Sequence, residues 1–256
     1  MKLNVVPARS GIEWARAGMR TFFRQPLALA GLFFMYMAMV MVVALIPLVG
    51  PVIAGMLVPA ATLGLMAATD EASRGRFPMP SILFSAFRAG RQRLQAMLLL
   101  GAAYTAGSML ATGLATLLAG APAPAGAEGA PVNAATALAL VLHLPLFLMF
   151  WHAPALVHWH GVSPAKSLFF SVVAVFRNFG AHLVYSLTWL VVFIVAGSVL
   201  GLTGGLIGGV ALAQTLMMPT ALLLAAMFST SIYFSFQACF LDETQTQEPD
   251  PLPRSD

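Results

Sequence analysis

The chain has 256 residues, 59% of them hydrophobic and 9% charged, with a formal net charge of +4 and a mean hydropathy of +0.86. Soluble domains give roughly a quarter of their residues to charge, so this composition excludes a water-soluble fold, and the length leaves no room for a helical bundle plus a separate soluble domain. The Lys/Arg excess is what orients a membrane protein, and with no fold to present a basic cluster, nucleic acid is excluded as a partner.

The N-terminal segment carries Lys2, Arg9, Arg16, Arg20 and Arg24 and has no unbroken apolar core. That pattern predicts a first helix retained as an anchor, not a cleavable signal peptide. Ser10-Gly11-Ile12-Glu13 has the form of a capping box. It is followed by an apolar stripe of Ile12, Ala15, Met19, Phe22 and Phe23, with Arg16, Arg20 and Arg24 on another face. A basic amphipathic helix of this kind is expected to lie in the membrane interface.

A bilayer core needs about 20 apolar residues per helix. The charge-free stretch from Arg24 to Asp70 accommodates two, with Pro47, Gly50 and Pro51 at the turn. The stretch from Arg93 to Glu128 holds one, and that from Glu128 to Lys166 holds one more before Pro154 and His158-Trp159-His160. From Arg177 to Asp242 there is room for two, broken near Gly204-Gly205 and Gly208-Gly209. The predicted fold is therefore an all-α membrane protein of about six spans at 27–46, 51–69, 94–118, 134–157, 183–203 and 209–236. Together they form one transmembrane domain over 1–241, followed by a disordered acidic tail at 242–256. With an even number of spans, all 13 basic residues fall on one side. The positive-inside rule makes that side, and both termini, cytoplasmic.

Two further basic segments resemble the first. In the 70–93 loop, Pro78 and Pro80 precede Ile82, Leu83, Ala86 and Phe87, with Arg88, Arg91 and Arg93 behind. Later, Ser163 is placed as an N-cap with Pro164 at the first helical position, ahead of Lys166, Leu168, Phe169, Val172, Val173, Phe176 and Arg177. Each segment ends in Phe-Arg (Phe23-Arg24, Phe87-Arg88, Phe176-Arg177), and the even-numbered spans contain Pro59, Pro154 and Pro219. The pattern suggests three interfacial amphipathic helices, each leading a helical hairpin, in three copies of one unit. Aromatics beside arginine also arise in any segment that precedes a membrane helix.

No constellation of catalytic residues is present, and no predicted span contains Asp, Glu, Lys or Arg, the residues on which ion-driven transport usually depends. His152, His158 and His160 cluster near Trp151 and Trp159, but no acid or cysteine lies near them in sequence, so no metal site and no cofactor are expected. Cys239 reads as an apolar packing residue. His143 and Gln214 fall within predicted spans, where polar groups either hydrogen-bond across a bundle or line a path. Small residues in the third span (Gly101, Ala102, Ala103, Ala106, Gly107) and Gly197, Gly201 and Gly205 in the fifth predict close helix packing or oligomer formation.

Several stretches resemble a family of bacterial six-pass inner-membrane proteins. They are Leu3-Asn4-Val5-Val6-Pro7-Ala8-Arg9 with Trp14, Phe22-Phe23-Arg24-Gln25-Pro26-Leu27-Ala28, Phe150-Trp151-His152-Ala153-Pro154-Ala155-Leu156, Ser163-Pro164-Ala165-Lys166-Ser167-Leu168-Phe169-Phe170-Ser171 and Phe176-Arg177-Asn178. The architecture is also, more loosely, similar to membrane domains that precede some glycerophosphodiester phosphodiesterases. The first resemblance implies a bacterial inner-membrane location and six passes; neither implies an activity. The expected function is a non-enzymatic module that organises anionic lipid or a partner protein, another copy of itself included, through Arg16, Arg20, Arg24, Arg88, Arg91, Arg93, Lys166 and Arg177. The alternative is a small permease or channel with a polar path near His143 and Gln214. A membrane enzyme is the least favoured reading.

Overall fold

The computed structural model describes residues 2–121 and 133–241. The expected acidic tail, most of the 119–133 loop with Glu128, and Arg254 lie outside the described residues. Among the described residues, six helices are long and apolar enough to cross a membrane: Pro26–Ala44, Gly50–Ser73, Arg91–Ala119, Ala134–His160, Phe179–Leu206 and Ala211–Cys239. Their bounds lie within four residues of the charge-free spans, and the largest differences are at the end of the second, which runs past Asp70 and Glu71 to Ser73, and at the start of the fifth, at Phe179.

The elements in chain order are β1 (Lys2–Leu3), α1 (Ser10–Arg24), α2 (Pro26–Ala44), α3 (Gly50–Ser73), a 3-10 turn (Pro80–Phe84), α4 (Ser85–Arg88) and α5 (Arg91–Ala119). There follow α6 (Ala134–Phe150), α7 (Ala153–His160), α8 (Pro164–Arg177), α9 (Phe179–Thr203), a π turn (Gly204–Gly208), α10 (Gly209–Cys239) and β2 (Phe240–Leu241). They group into two compact units: Leu27–Val173, and the described residues up to Pro26 together with those from Ala174 onward.

In the unit made of the two chain ends, α1 packs on α9 and α10. Its buried face is Gly11, Trp14, Ala15, Gly18, Thr21 and Phe22. Of the expected stripe, Ala15 and Phe22 lie on this packed face, while Ile12 and Phe23 are exposed and Met19 is half-buried. The face is rotated because two glycines allow the helix backbones to touch. A Cβ at Gly11 would overlap the Ala181 carbonyl and stand 2.5 Å from the Tyr185 amide nitrogen. One at Gly18 would overlap the Ser231 side chain and stand 2.5 Å from its Cα. The expected capping box is also absent. Ser10 is buried as the first helical residue, Arg9 occupies the cap position without a side-chain bond, and Glu13 instead stands 3.9 Å from Arg9.

Opposite Gly18, the Ser231 hydroxyl is fully used. It donates to the Phe228 carbonyl at 2.6 Å, so the Tyr185 hydroxyl at 2.5 Å and the Trp189 indole N–H at 3.2 Å are its donors. Trp14 stacks edge-on against His182, with ring centroids 5.2 Å apart. Asn178, also buried, joins the chain ends. Its Oδ1 accepts from the Val6 amide at 2.8 Å, and its Nδ2 donates to the Asn4 carbonyl at 3.0 Å and the Ala174 carbonyl at 3.1 Å, with Cys239 Sγ at 3.6 Å. Beside it, β1 and β2 pair antiparallel, Lys2 opposite Leu241 and Leu3 opposite Phe240.

In the Leu27–Val173 unit, α3 packs on α5, and α5 on α6. Small residues again set the approach: a Cβ at Gly101 would overlap the Met56 carbonyl, and one at Gly55 would stand 2.7 Å from Thr105 Oγ1. The fourth span is two helices, α6 and α7, divided at Trp151-His152 because Pro154 has no amide hydrogen to bond the preceding turn. The Ser171 hydroxyl is inserted in the break. It accepts from the His152 amide at 3.0 Å and donates to the Leu148 carbonyl at 2.8 Å, bridging a helical bond that would otherwise close directly.

Candidate functional site

The 74–90 connection brings the C-terminal end of α3, the short α4, the N-terminal end of α5 and the end of α7 around one cleft. Pro80 opens a 3-10 turn whose five residues run directly into the single turn of α4. This is shorter than the amphipathic helix expected here. Gly90 then takes φ 92° and ψ 160°, a conformation open to glycine and strained for other residues, and turns the chain into α5. As a result Arg88, before the turn, and Arg93, after it, line the same space.

That space measures about 510 Å³ and is lined by Glu71, Phe77, Met79, Ser81, Ile82, Ser85, Arg88, Ala89, Arg93 and His158. The acid among these is already committed: Arg76 Nη2 donates to Glu71 Oε1 at 2.8 Å, and Arg76 Nε donates to Oε2. Asp70, one residue earlier, is held by Arg74 at 2.8 Å. Among the described residues, neither Arg88 nor Arg93 makes an ion pair. Ser85 Oγ and His158 Nδ1 are both buried without a hydrogen-bond partner among the described residues. An unpaired buried polar atom costs about 1–3 kcal/mol, and two beside one cleft single it out. The chemistry available is that of hydrogen-bond donation and positive charge. No nucleophile stands paired with a base here.

The other residues singled out from the sequence are dispersed. Arg16, Arg20 and Arg24 are exposed on α1, away from its buried face, and Lys166 and Arg177 are exposed on α8. Arg91 is exposed at the start of α5 and does not line the cleft. His143 has both ring nitrogens engaged. Its Nδ1 lies 2.7 Å from the Ala139 carbonyl, which can only accept, so Nδ1 is the protonated nitrogen and Nε2 accepts from the Ser108 hydroxyl at 3.1 Å. Gln214 is exposed on α10. The cleft residues that sequence reasoning missed are Glu71, Ser81 and Ser85. His158 was visible, but as a metal candidate beside His160. The spacing of Ser85 three residues before Arg88 was the available signal, and it is too common to single out a site.

No family model matches the chain, and no solved structure matches it. The chain is 36% identical over 254 residues to Probable inner membrane protein BTH_II0599 of Burkholderia thailandensis, an alignment covering 94% of each protein. The six membrane-length helices and this near end-to-end identity place the chain in the same family, one of bacterial multi-pass inner-membrane proteins.

Proposed function

We propose that the protein is a non-enzymatic membrane module that engages anionic lipid headgroups through arginines on its cytoplasmic side. The observation that carries this reading is the state of the three Phe-Arg pairs. Phe23, Phe87 and Phe176 are 68%, 36% and 61% exposed, and each is followed by an exposed Arg24, Arg88 or Arg177. An exposed phenylalanine is at home among acyl chains, and a guanidinium one residue on is at home among phosphates, so each pair suits the membrane boundary. Arg16 and Arg20 on α1 extend the first pair, and Lys166 with the exposed Phe169 extends the third. The pairing of β1 with β2 supports placing both termini on one side of the membrane, and the distribution of basic residues makes that side the cytoplasm.

The test is the thermal midpoint of the purified full chain in a neutral detergent supplemented with phosphatidylglycerol or phosphatidylcholine. The wild type is expected to be stabilised more by phosphatidylglycerol, and the Arg16→Gln/Arg20→Gln/Arg24→Gln/Arg177→Gln variant is expected to lose that difference. Equal stabilisation by both lipids, or a variant that still distinguishes them, overturns the reading.

A further inference from the structure

We infer that the cleft containing Arg88 and Arg93 binds the phosphomonoester headgroup of an acidic phospholipid, with part of an acyl chain in the apolar cavity on the other face of the 81–89 segment. The inference rests on the lipid-engaging reading above and narrows it from a surface to one site.

Three observations converge. The first is charge. Arg88 and Arg93 bring two positive charges with no ion pair among the described residues, and Glu71, the acid beside them, is taken by Arg76. A phosphomonoester carries about −1.5 to −2 at neutral pH and matches that pair, whereas the diester of most acidic lipids carries a single charge. The second is hydrogen bonding. Ser85 Oγ and His158 Nδ1 are buried beside the cleft with no hydrogen-bond partner among the described residues. The terminal oxygens of a phosphomonoester would accept from both, in addition to the forked bonds that guanidinium groups make to phosphate.

The third is the cavity that shares the 81–89 segment. Ser81, Ser85 and Arg88 line the polar cleft, while Leu83, Phe84 and Phe87 line a cavity of about 300 Å³ with Tyr36, Met39 and Leu57. One short segment thus offers donors on one face and an apolar slot on the other. A free phosphate would use only the first. A phospholipid uses both.

The experiment measures the thermal midpoint of the full chain in neutral detergent against phosphatidic acid, phosphatidylglycerol and inorganic phosphate. Phosphatidic acid is expected to stabilise saturably, at a concentration about tenfold below that needed for phosphatidylglycerol, with inorganic phosphate inert at that concentration. Arg88→Gln/Arg93→Gln, and the milder Ser85→Ala, which removes no hydrogen bond, should each raise the phosphatidic acid requirement about tenfold, and Ser85→Ala, which alters no Phe-Arg pair, should preserve the phosphatidylglycerol response. If the two lipids are equivalent, or if the cleft variants respond to phosphatidic acid as the wild type does, the site is overturned and the surface reading stands. Saturable stabilisation by inorganic phosphate, lost in the cleft variants, overturns the lipid as ligand. No response to either lipid overturns both readings.

Discussion

The close approach of α1 to α10 at Gly18 makes a quantitative test of how α1 is held. Gly18→Ala would place a carbon 2.5 Å from the Ser231 Cα and 2.9 Å from its amide nitrogen, where carbon contacts prefer about 3.5–4.0 Å. Neither atom can give way, because both are backbone of α10. The helix must therefore withdraw by about 1 Å, and a gap of that size forfeits about a quarter to a half of the dispersion energy of the face it opens. That face carries Trp14 and Ala15, both buried. Overpacking of this kind costs about 1–3 kcal/mol, a fall of about 2–12 °C in thermal midpoint for a chain of this size. Gly11→Ala should behave alike, since its added carbon meets the backbone of α9. Gly31→Ala and Gly113→Ala are the controls. Beyond the adjoining turns of the same helix, no heavy atom of the described residues lies within 4 Å of a Cβ at either position, so the better helix former should leave stability unchanged or raise it by up to about 1 kcal/mol. The assay is unfolding in one detergent followed by tryptophan fluorescence. If the two packed glycines tolerate alanine as well as the two open ones do, α1 is not held by backbone contact.

Two other sites give sharp expectations. Ser171→Ala removes the hydroxyl that bridges the Leu148 carbonyl and the His152 amide, and should lower stability by about 1–3 kcal/mol in the same assay. An unchanged midpoint would mean that the helix closes the break itself. Asn178→Leu removes the bonds to Val6 and Asn4 and should speed amide exchange across residues 2–8, with the spans unaffected. Exchange at the wild-type rate would assign that clasp to the β1–β2 pair and to the bonds of Asn4 with Ala238 and Cys239.

The spans were legible because a membrane imposes one rule on every residue of a long stretch, and counting charge-free lengths applies it directly. The joints between spans were not legible. Ser171 and His152 both lie in stretches that carry the family resemblance, as do Asn4 and Asn178. Nothing in their types or spacing says that a hydroxyl from α8 enters a helix break, or that one amide ties the two chain ends together. The α1 face failed for a related reason. Glycine scores as neither polar nor strongly apolar, so the stripe drawn through Ile12, Ala15, Met19, Phe22 and Phe23 took in only Ala15 and Phe22 of the packed face and passed over Gly11 and Gly18, on whose missing side chains that face depends. The candidate cleft depended on a turn. Arg88 and Arg93 were visible as a basic run, but only the reversal at Gly90 sets them on one space with Ser85 and His158.

The tie between the ends of the chain has a consequence for biosynthesis. Asn4 donates to the carbonyl of Ala238, 234 positions later. At about 5–20 residues per second, that partner leaves the ribosome on the order of 10–50 s after the first. During that interval the Leu27–Val173 segment, which is contiguous in sequence, can insert and pack, while α1 waits with its glycine-bearing face uncovered. A truncation that removes α9 and α10 would strand α1 in that waiting state, with the face of Gly11 and Gly18 deprived of both helices it packs on.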